Sequence, residues 1–126
     1  MRSNREYQIC KDIAIYMRSQ YPKVLFHFDL AGLNLSRAQA GMMKAIQGNR
    51  GWPDLFIAEP KGIFHGLFLE IKPEGTKLYK KNTLPATPHL EEQETCLFVL
   101  EYNEYYAQFV CGFDEAKVMI DEYLNQ

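Results

Sequence analysis

Two acidic residues and one lysine lie at matching ends of two short apolar segments. Asp54 begins the first segment, and Glu70 and Lys72 lie at the end of the second. If the chain turns symmetrically about Gly62, Asp54 faces Glu70 in an antiparallel hairpin, and opposed Cβ atoms lie about 5 Å apart. Glu70 and Lys72 share a face because side chains alternate along a strand. The spacing therefore predicts two carboxylates and one ammonium group at one end of a β-hairpin, a register that a single bulge would change.

These three groups suggest a specific chemistry. Two ionised carboxylates at this distance repel each other, and a bound divalent cation would remove the repulsion. Oxygen ligands without cysteine or clustered histidine favour Mg²⁺ or Mn²⁺ over zinc, and the backbone carbonyl of Ile71 is a further candidate ligand. Lys72 could hold a water and stabilise charge on a phosphate. The residues point to phosphodiester hydrolysis, whereas a solvated strand face is the alternative explanation of a Glu-x-Lys pattern.

The surrounding sequence predicts the elements that position these groups. Ser3 with Glu6, and Ser36 with Gln39, have capping-box spacing, and Asp114 is a candidate cap for the last helix. Predicted helices cover 3–20, 36–48, 87–101 and 114–124, and predicted strands cover 24–28, 54–58, 66–72 and 106–110. The order αβαββαβα indicates an α/β fold, an α+β sandwich on a small mixed sheet, in a single domain spanning residues 1–126.

Composition limits the class of protein. The chain has 126 residues, of which 47% are hydrophobic, so a packed core is available. Its net charge of −2 is unevenly distributed, with about +6 in residues 1–90 and −8 in residues 91–126. A basic face on an acidic protein is therefore compatible with a nucleic-acid partner, although the acidic end could simply solvate two surface helices. No signal peptide or membrane span is expected, which favours a cytoplasmic location in a bacterium or a phage-infected host.

The residues around the candidate site resemble a known family. The two segments that carry the resemblance read Gly51-Trp52-Pro53-Asp54-Leu55-Phe56-Ile57 and Gly66-Leu67-Phe68-Leu69-Glu70-Ile71-Lys72-Pro73. They resemble the paired signature of the virus-type replication-repair nucleases (VRR-NUC), a family of the PD-(D/E)xK superfamily, and weaker likeness extends over nearly the whole chain. The resemblance implies a restriction-endonuclease-like core and a metal-dependent DNA endonuclease of phage-like, stand-alone form. Branched, flapped or Holliday-junction-like DNA is the implied substrate, in replication, repair or recombination.

The resemblance also implies residue roles. Asp54 and Glu70 match the metal-binding carboxylates, and Lys72 matches the catalytic lysine. Glu6 matches an acidic residue that the first helix directs at the same site, although a first-turn Glu can equally be a capping residue. Gln93 matches a glutamine that reaches the site from the following helix, with an ordinary exposed residue as the alternative. The segment between Lys72 and Gln93 is longer than in compact members, which leaves substrate preference open.

Basic and aromatic residues suggest how DNA could be held. Candidate phosphate contacts lie on the second helix, on the loop after it and on the long loop after Lys72; they are Arg37, Arg50, Lys77, Lys80 and Lys81. Tyr79 could stack on an unpaired base, and a simply solvated loop is the alternative. Trp52 is expected to fill the core beneath the site rather than stack on DNA. The three histidines are expected to be structural.

The oligomeric state and two competing functions complete the expectations. One small domain covers little of a branched duplex, and cuts on two strands need two active sites, so a two-fold homodimer is expected. The first competing function is a nucleic-acid-binding module that kept a nuclease-like fold and lost hydrolysis. The second is an interaction protein that uses its acidic C-terminal helices as a partner surface.

Overall fold

The structure, a computed structural model, describes residues 3–30 and 33–126. Its elements follow the predicted order and are α1 (Asn4–Gln20), β1 (Phe26–Phe28), α2 (Arg37–Ile46), β2 (Leu55–Ile57), β3 (Leu67–Lys72), α3 (Pro88–Tyr102), β4 (Tyr106–Cys111) and α4 (Phe113–Leu124). The predicted order αβαββαβα is thereby confirmed. Ala31 and Gly32, which belong to the weaker part of the family resemblance, lie outside the described residues.

The four strands form one mixed sheet in the order β1-β2-β3-β4. The β1–β2 and β2–β3 pairs are antiparallel, and β3 pairs with β4 in parallel. Leu55 lies opposite Leu69 and Phe56 opposite Phe68, which is the predicted hairpin register. The turn itself is asymmetric, because Lys61 pairs with Phe64 around Gly62, at φ +57°. The hydrophobic pattern of the strands, rather than the turn, therefore sets the register.

Helices cover both faces of the sheet. Helix α1 buries Ile9, Cys10, Ile13 and Met17, and with α4 it encloses the larger core, which includes Leu69 and Tyr123. On the opposite face, α3 packs Leu97 and Leu100 against the β3–β4 half of the sheet. The two faces follow from the alternation of side chains along β3, where Leu69 and Ile71 enter the first core and Phe68 enters the second.

Several boundaries differ from the predicted ones. Strand β1 covers only Phe26–Phe28. The predicted cap of α4 at Asp114 is wrong, because the helix begins at Phe113 and Gly112 is its N-cap, with φ +91°. The N–H of Gly112 donates to the carbonyl of Lys72 at 2.8 Å, so the pairing of β3 with β4 continues to the first residue before the helix. The long loop after β3 is folded on itself through a bridge between Tyr79 and Pro85.

Helix α2 is the least packed element. Both halves of its predicted capping box are formed, between Ser36 and Gln39. No residue of α2 is buried, and Met42 and Ile46 are exposed. Local capping, rather than burial, therefore defines where this helix begins. Within the described part of the chain, no helix has the length and apolar character needed to cross a bilayer.

Candidate active site

Asp54 is attached to the neighbouring strand by its side chain. It directly precedes β2, and its Oδ2 accepts a hydrogen bond of 2.8 Å from the backbone N–H of Ile71. That N–H belongs to the peptide group that joins Glu70 to Ile71. The Asp54 carboxylate therefore lies against the strand segment from which Glu70 and Lys72 project, at the end of the hairpin that the sequence predicts.

Glu70 is a buried carboxylate, with 4% of its surface exposed. Its Oε1 accepts a hydrogen bond of 2.7 Å from Gln93 Nε2 and lies 3.7 Å from Lys72 Nζ. A buried charge is tolerated only where polar or charged partners replace water. The amide and the ammonium group are two such partners, and the Lys72 side chain is itself only 12% exposed. Asp54, Glu70 and Lys72 thus surround one peptide group of β3.

Helix α3 brings Gln93 to the Glu70 carboxylate. Thr87 caps the helix by accepting the N–H of Leu90, and Pro88 occupies its first turn. The residues that α3 buries are spaced three or four apart, as one face of a helix requires; they are Leu90, Gln93, Leu97 and Leu100. Gln93 is therefore on the inward face, and the alternative of an exposed helix residue is wrong.

The loop before β2 is held against the same turn of α3. Gly51 has φ +81°, and a Cβ added there would lie 2.7 Å from the carbonyl oxygen of Glu92 and 3.0 Å from the nitrogen of Gln93. Only glycine fits this close approach without displacing backbone. The contact sets the distance between Gln93 and the segment that carries Asp54. The sequence contains one local signal for it, a glycine three residues before Asp54, but a glycine alone does not indicate which part of the chain approaches it.

Glu6 lies in the first turn of α1, which is attached to the end of β3. Ser3 Oγ accepts a hydrogen bond from the backbone N–H of Glu6, so the predicted cap at Ser3 is confirmed. The neighbouring Arg5 forms two hydrogen bonds with the carboxylate of Glu74, and the Glu74 side chain packs on Gly112. Through these contacts the start of α1 meets the chain just beyond Lys72. Sequence reasoning identified Glu6 but missed the Arg5–Glu74 pair beside it.

The donor atoms fit a hard divalent cation. Two carboxylates are present, and Gln93 Oε1 is buried without a hydrogen-bond partner among the described residues. The N–H and C=O of one strand residue point to the same side, so the Ile71 carbonyl lies on the same edge of β3 as the N–H that donates to Asp54. No group of three His, Cys, Asp or Glu side chains that could hold a metal exists in residues 3–30 and 33–126. Two carboxylates with neighbouring oxygen atoms suit Mg²⁺, which is commonly held by one or two carboxylates and retains several waters.

Two cysteines border the site. Burial, with the nearby negative charge of Glu70, raises the pKa of the Cys96 thiol. Burial also raises the pKa of Cys111, which pairs with Lys72 across β3 and β4, although the lysine charge opposes the shift. A raised thiol pKa reduces the thiolate fraction at neutral pH, so neither cysteine is a candidate nucleophile.

The predicted phosphate contacts all lie on the surface but in separate places. Arg37 is the first residue of α2, and Lys77, Lys80 and Lys81 are exposed on the folded loop after β3. Arg50 is exposed, with its Nη1 4.0 Å from Glu92 Oε1. The Tyr79 hydroxyl forms a hydrogen bond with Glu94 of α3. This bond, together with burial, raises the pKa of Tyr79 to about 12.

Trp52 differs from its expected role. Trp52 is 41% exposed rather than buried beneath the site. It lines an open cleft together with Asp54, and the exposed His27 lines the same cleft. The preference for Trp52 as a core residue is therefore wrong, because α3 covers only the β3–β4 half of this face. The local sequence could not show where that helix stops covering the sheet.

Comparison with known proteins identifies the fold. No family model and no curated protein sequence matches the chain. Among solved structures, a protein described as a "VRR_NUC domain protein" has the same fold, with a TM-score of 0.72 and 23% sequence identity over 99% of this chain and 92% of that one. The expected α+β fold of the VRR-NUC type is confirmed.

Proposed function

We propose that this chain is a metal-dependent endonuclease of the VRR-NUC type that hydrolyses DNA phosphodiester bonds. The observation that carries the proposal is the buried Glu70 carboxylate, held by Gln93 and Lys72 beside the peptide group that Asp54 binds. A protein that only binds nucleic acid gains nothing from a buried carboxylate next to a second one, since both repel phosphate. The similar fold of a VRR_NUC domain protein supports the same reaction class.

Mg²⁺ or Mn²⁺ is the proposed cofactor, held by Asp54, Glu70 and the Ile71 carbonyl. When bound, such an ion polarises a phosphate oxygen and lowers the pKa of an adjacent water. Gln93 orients Glu70 through its amide N–H, as outer-shell groups commonly do for metal ligands. Glu6 is proposed to support the ion through water, because it does not join Asp54 and Glu70 in a three-acid cluster.

Lys72 is the proposed catalytic cation. Its ammonium group lies 3.7 Å from Glu70 Oε1, within the same group of polar atoms as the carboxylates. From this place it can donate to the attacking water or to a phosphate oxygen and stabilise the charge that develops on phosphorus. The water oxygen forms the new P–O bond and loses a proton to solvent, while the bond to the leaving oxygen breaks and that oxygen takes up a proton from solvent. No covalent enzyme intermediate forms.

The proposed substrate is branched or flapped DNA, positioned by exposed basic side chains of α2, of the loop after α2 and of the loop after β3. Arg37 and Arg50 lie on the α2 side, and Lys77, Lys80 and Lys81 lie on the loop after β3. Contacts from these side chains to phosphates would position the duplex without reading its sequence. Their loss should weaken binding to different sequences equally and reduce its salt dependence.

A homodimer is proposed on geometric grounds, since a junction cut on two strands needs two active sites. The outer side of α3 offers an apolar surface for a second copy, on which Phe98, Val99 and Tyr102 are exposed. Light scattering at working concentration should give twice the monomer mass, and Tyr102→Asp should shift it towards the monomer. A monomeric wild type that cuts junctions would exclude the dimer.

The test of function is cleavage of flap, splayed-arm and four-way DNA with and without Mg²⁺. Wild type should cut only with the ion, and Asp54→Asn should lose cutting while keeping DNA affinity. Asp114→Asn is the matched control, because it removes one carboxylate from the exposed start of α4. Binding without Mg²⁺-dependent cutting by wild type would indicate a non-catalytic binding module, and no affinity even at low salt would indicate an interaction protein.

A further inference from the structure

An open cleft lies beside the candidate active site, on the half of the sheet that α3 leaves uncovered. The sheet register places His27, Phe56 and Phe68 in one row across β1, β2 and β3. Phe68 is covered by α3, whereas Phe56 is half-buried and His27 is exposed. The cleft has a volume of about 390 Å³, and its other wall is the end of α2 at Ile46 and the following Gln47.

The floor of the cleft is aromatic. Phe56 and Phe68 stack with ring centroids 4.4 Å apart and an angle of 18° between their planes. Trp52 contacts Phe68 with a centroid distance of 6.0 Å and remains 41% exposed. The indole is therefore supported from within the protein while part of it is open to solvent. Aromatic side chains in this arrangement are stacking surfaces for nucleobases, with little dependence on base identity.

The cleft is continuous with the carboxylates of the active site. Asp54 lines it, and Asp54 shares a face with Phe56 because they are two residues apart in an extended segment. The separation between such residues is roughly 7 Å, at about 3.3 Å per residue. A nucleotide whose phosphate lies at Asp54 would therefore have this cleft within reach of its base. His27 and Gln47 at the rim supply side chains able to hydrogen-bond to a base edge.

We infer that this cleft binds a single unstacked nucleobase next to the phosphate that is cut, with Trp52 as its stacking surface. The inference rests on the proposed nuclease function and specifies its substrate class. A base inside a continuous duplex must leave the stack to enter the cleft, at an energetic cost that is lowest for single-stranded or mismatched positions. The cleft thus selects DNA with an unpaired nucleotide at the cut, such as a flap base or a junction.

The volume of the cleft agrees with a single nucleobase as its occupant. Pockets for small organic ligands measure roughly 300–1,000 Å³, so a cleft of about 390 Å³ lies at the small end of that range. One ring system fits that size class better than a peptide segment. A second copy of this chain is the competing occupant, because Ile46 at the rim is exposed and apolar, and the experiment below distinguishes the two.

The test uses the only tryptophan of the chain as its probe. Wild-type protein in EDTA, which prevents cutting, is titrated with a thymidine oligomer of about twelve nucleotides. The same titration is made with an abasic oligomer that has identical phosphates and no bases. The thymidine oligomer should quench Trp52 emission and bind about tenfold more tightly, since stacking is the difference. The abasic oligomer should bind without quenching.

Variants of Trp52 test whether the base stacks on this residue. Trp52→Ala should lower affinity for the thymidine oligomer about tenfold and leave affinity for the abasic oligomer unchanged. Trp52→Phe, which keeps an aromatic ring, should recover much of the loss. Tyr7→Ala is the control, because it removes an exposed aromatic ring from α1, outside the cleft. The comparison of the thymidine and abasic oligomers uses only the wild-type protein. It therefore tests the inference even if both Trp52 variants fail to fold.

Three results would overturn the inference. Equal affinity for the two oligomers or unchanged emission with thymidine would exclude base binding in the cleft. A change of Trp52 emission with protein concentration alone that persists in Tyr102→Asp, which alters the α3 surface, would assign the cleft to a second copy of the chain. Failure of the nuclease proposal is seen separately, as absence of Mg²⁺-dependent cutting, because the titration in EDTA does not depend on catalysis.

Discussion

Gln93 Nε2 and Glu70 Oε1 are joined by a hydrogen bond of 2.7 Å between two buried side chains from different elements. One residue comes from the inward face of α3, and the other comes from the strand before it. The contact makes the position of Glu70 depend on the packing of a helix that joins β3 to β4. The loop at Gly51 abuts the same turn of α3, so the segment carrying Asp54 shares that dependence.

Replacing Gln93 tests the role of this hydrogen bond. Gln93→Leu keeps an apolar contact with the core but removes the amide from Glu70. We expect the cleavage rate to fall about 10–100-fold and the half-saturating Mg²⁺ concentration to rise, as for other groups that orient metal ligands. The measurement is cleavage rate against Mg²⁺ concentration. Glu91→Gln, an exposed change on the same helix, is the control, and wild-type rates in Gln93→Leu would exclude the positioning role.

Glu6→Gln separates the two roles of the first-turn glutamate. Glutamine serves equally well as the third residue of a capping box, so α1 and the unfolding free energy should be preserved. The negative charge is lost, so the half-saturating Mg²⁺ concentration should rise severalfold if Glu6 supports the ion. Urea unfolding and a Mg²⁺ titration of cleavage measure the two effects. Preserved stability with an unchanged Mg²⁺ requirement would assign Glu6 to capping alone.

Gly51→Ala should destabilise the fold, and Gly48→Ala provides a matched control. A Cβ on Gly51 would lie 2.7 Å from the backbone oxygen of Glu92, at a φ of +81°. We expect a loss of about 2 kcal/mol in unfolding free energy from strain and displaced backbone. Gly48 has no atom within 4 Å of the added Cβ, so its variant should stay within about 1 kcal/mol of wild type. Urea denaturation of both variants measures the two losses of stability. Similar stabilities would show that the close approach of Gly51 to the backbone of Glu92 is not maintained.

The contact between α1 and α4 should make stability depend on pH in acid. Burial acts to raise the pKa of Asp121, but hydrogen bonds from Tyr16, Tyr21 and Lys117 outweigh it and lower that pKa below its usual 3.8. A carboxylate with a lowered pKa stabilises the fold above its unfolded pKa, and the contribution is lost as the pH falls through the folded value. The stability difference between wild type and Asp121→Asn should therefore be largest near neutral pH and shrink below about pH 4.

Urea unfolding at a series of pH values measures that difference. Glu122→Gln removes one exposed charge from the same helix and should show no comparable change in the difference with pH. In alkali, burial and the hydrogen bond to Asp121 raise the pKa of Tyr21 to about 12. The contribution of Tyr21 to the unfolding free energy therefore persists at pH 10 and is lost as the pH approaches 12. A difference between wild type and Asp121→Asn that is independent of pH would contradict this account.

The order of elements and the hairpin register were predictable because they depend on local rules. Capping residues determine where α1, α2 and α3 begin, and period-two alternation determines which face of β3 carries Glu70 and Lys72. The start of α4 was predicted wrongly, because its cap is a glycine placed by the pairing of β3 with β4. That pairing is a long-range contact, and neighbouring letters of the sequence do not encode it.

The sequence by itself determined the types of residue at the candidate site and their order along two paired strands, because a strand projects its side chains with a fixed period. Only the tertiary structure decided that Gln93 is buried against Glu70, that Gly51 abuts α3, and that Trp52 faces an open cleft. These three outcomes depend on where α3 lies across the sheet. That placement comes from the packing of side chains distant in sequence, for which no local pattern exists.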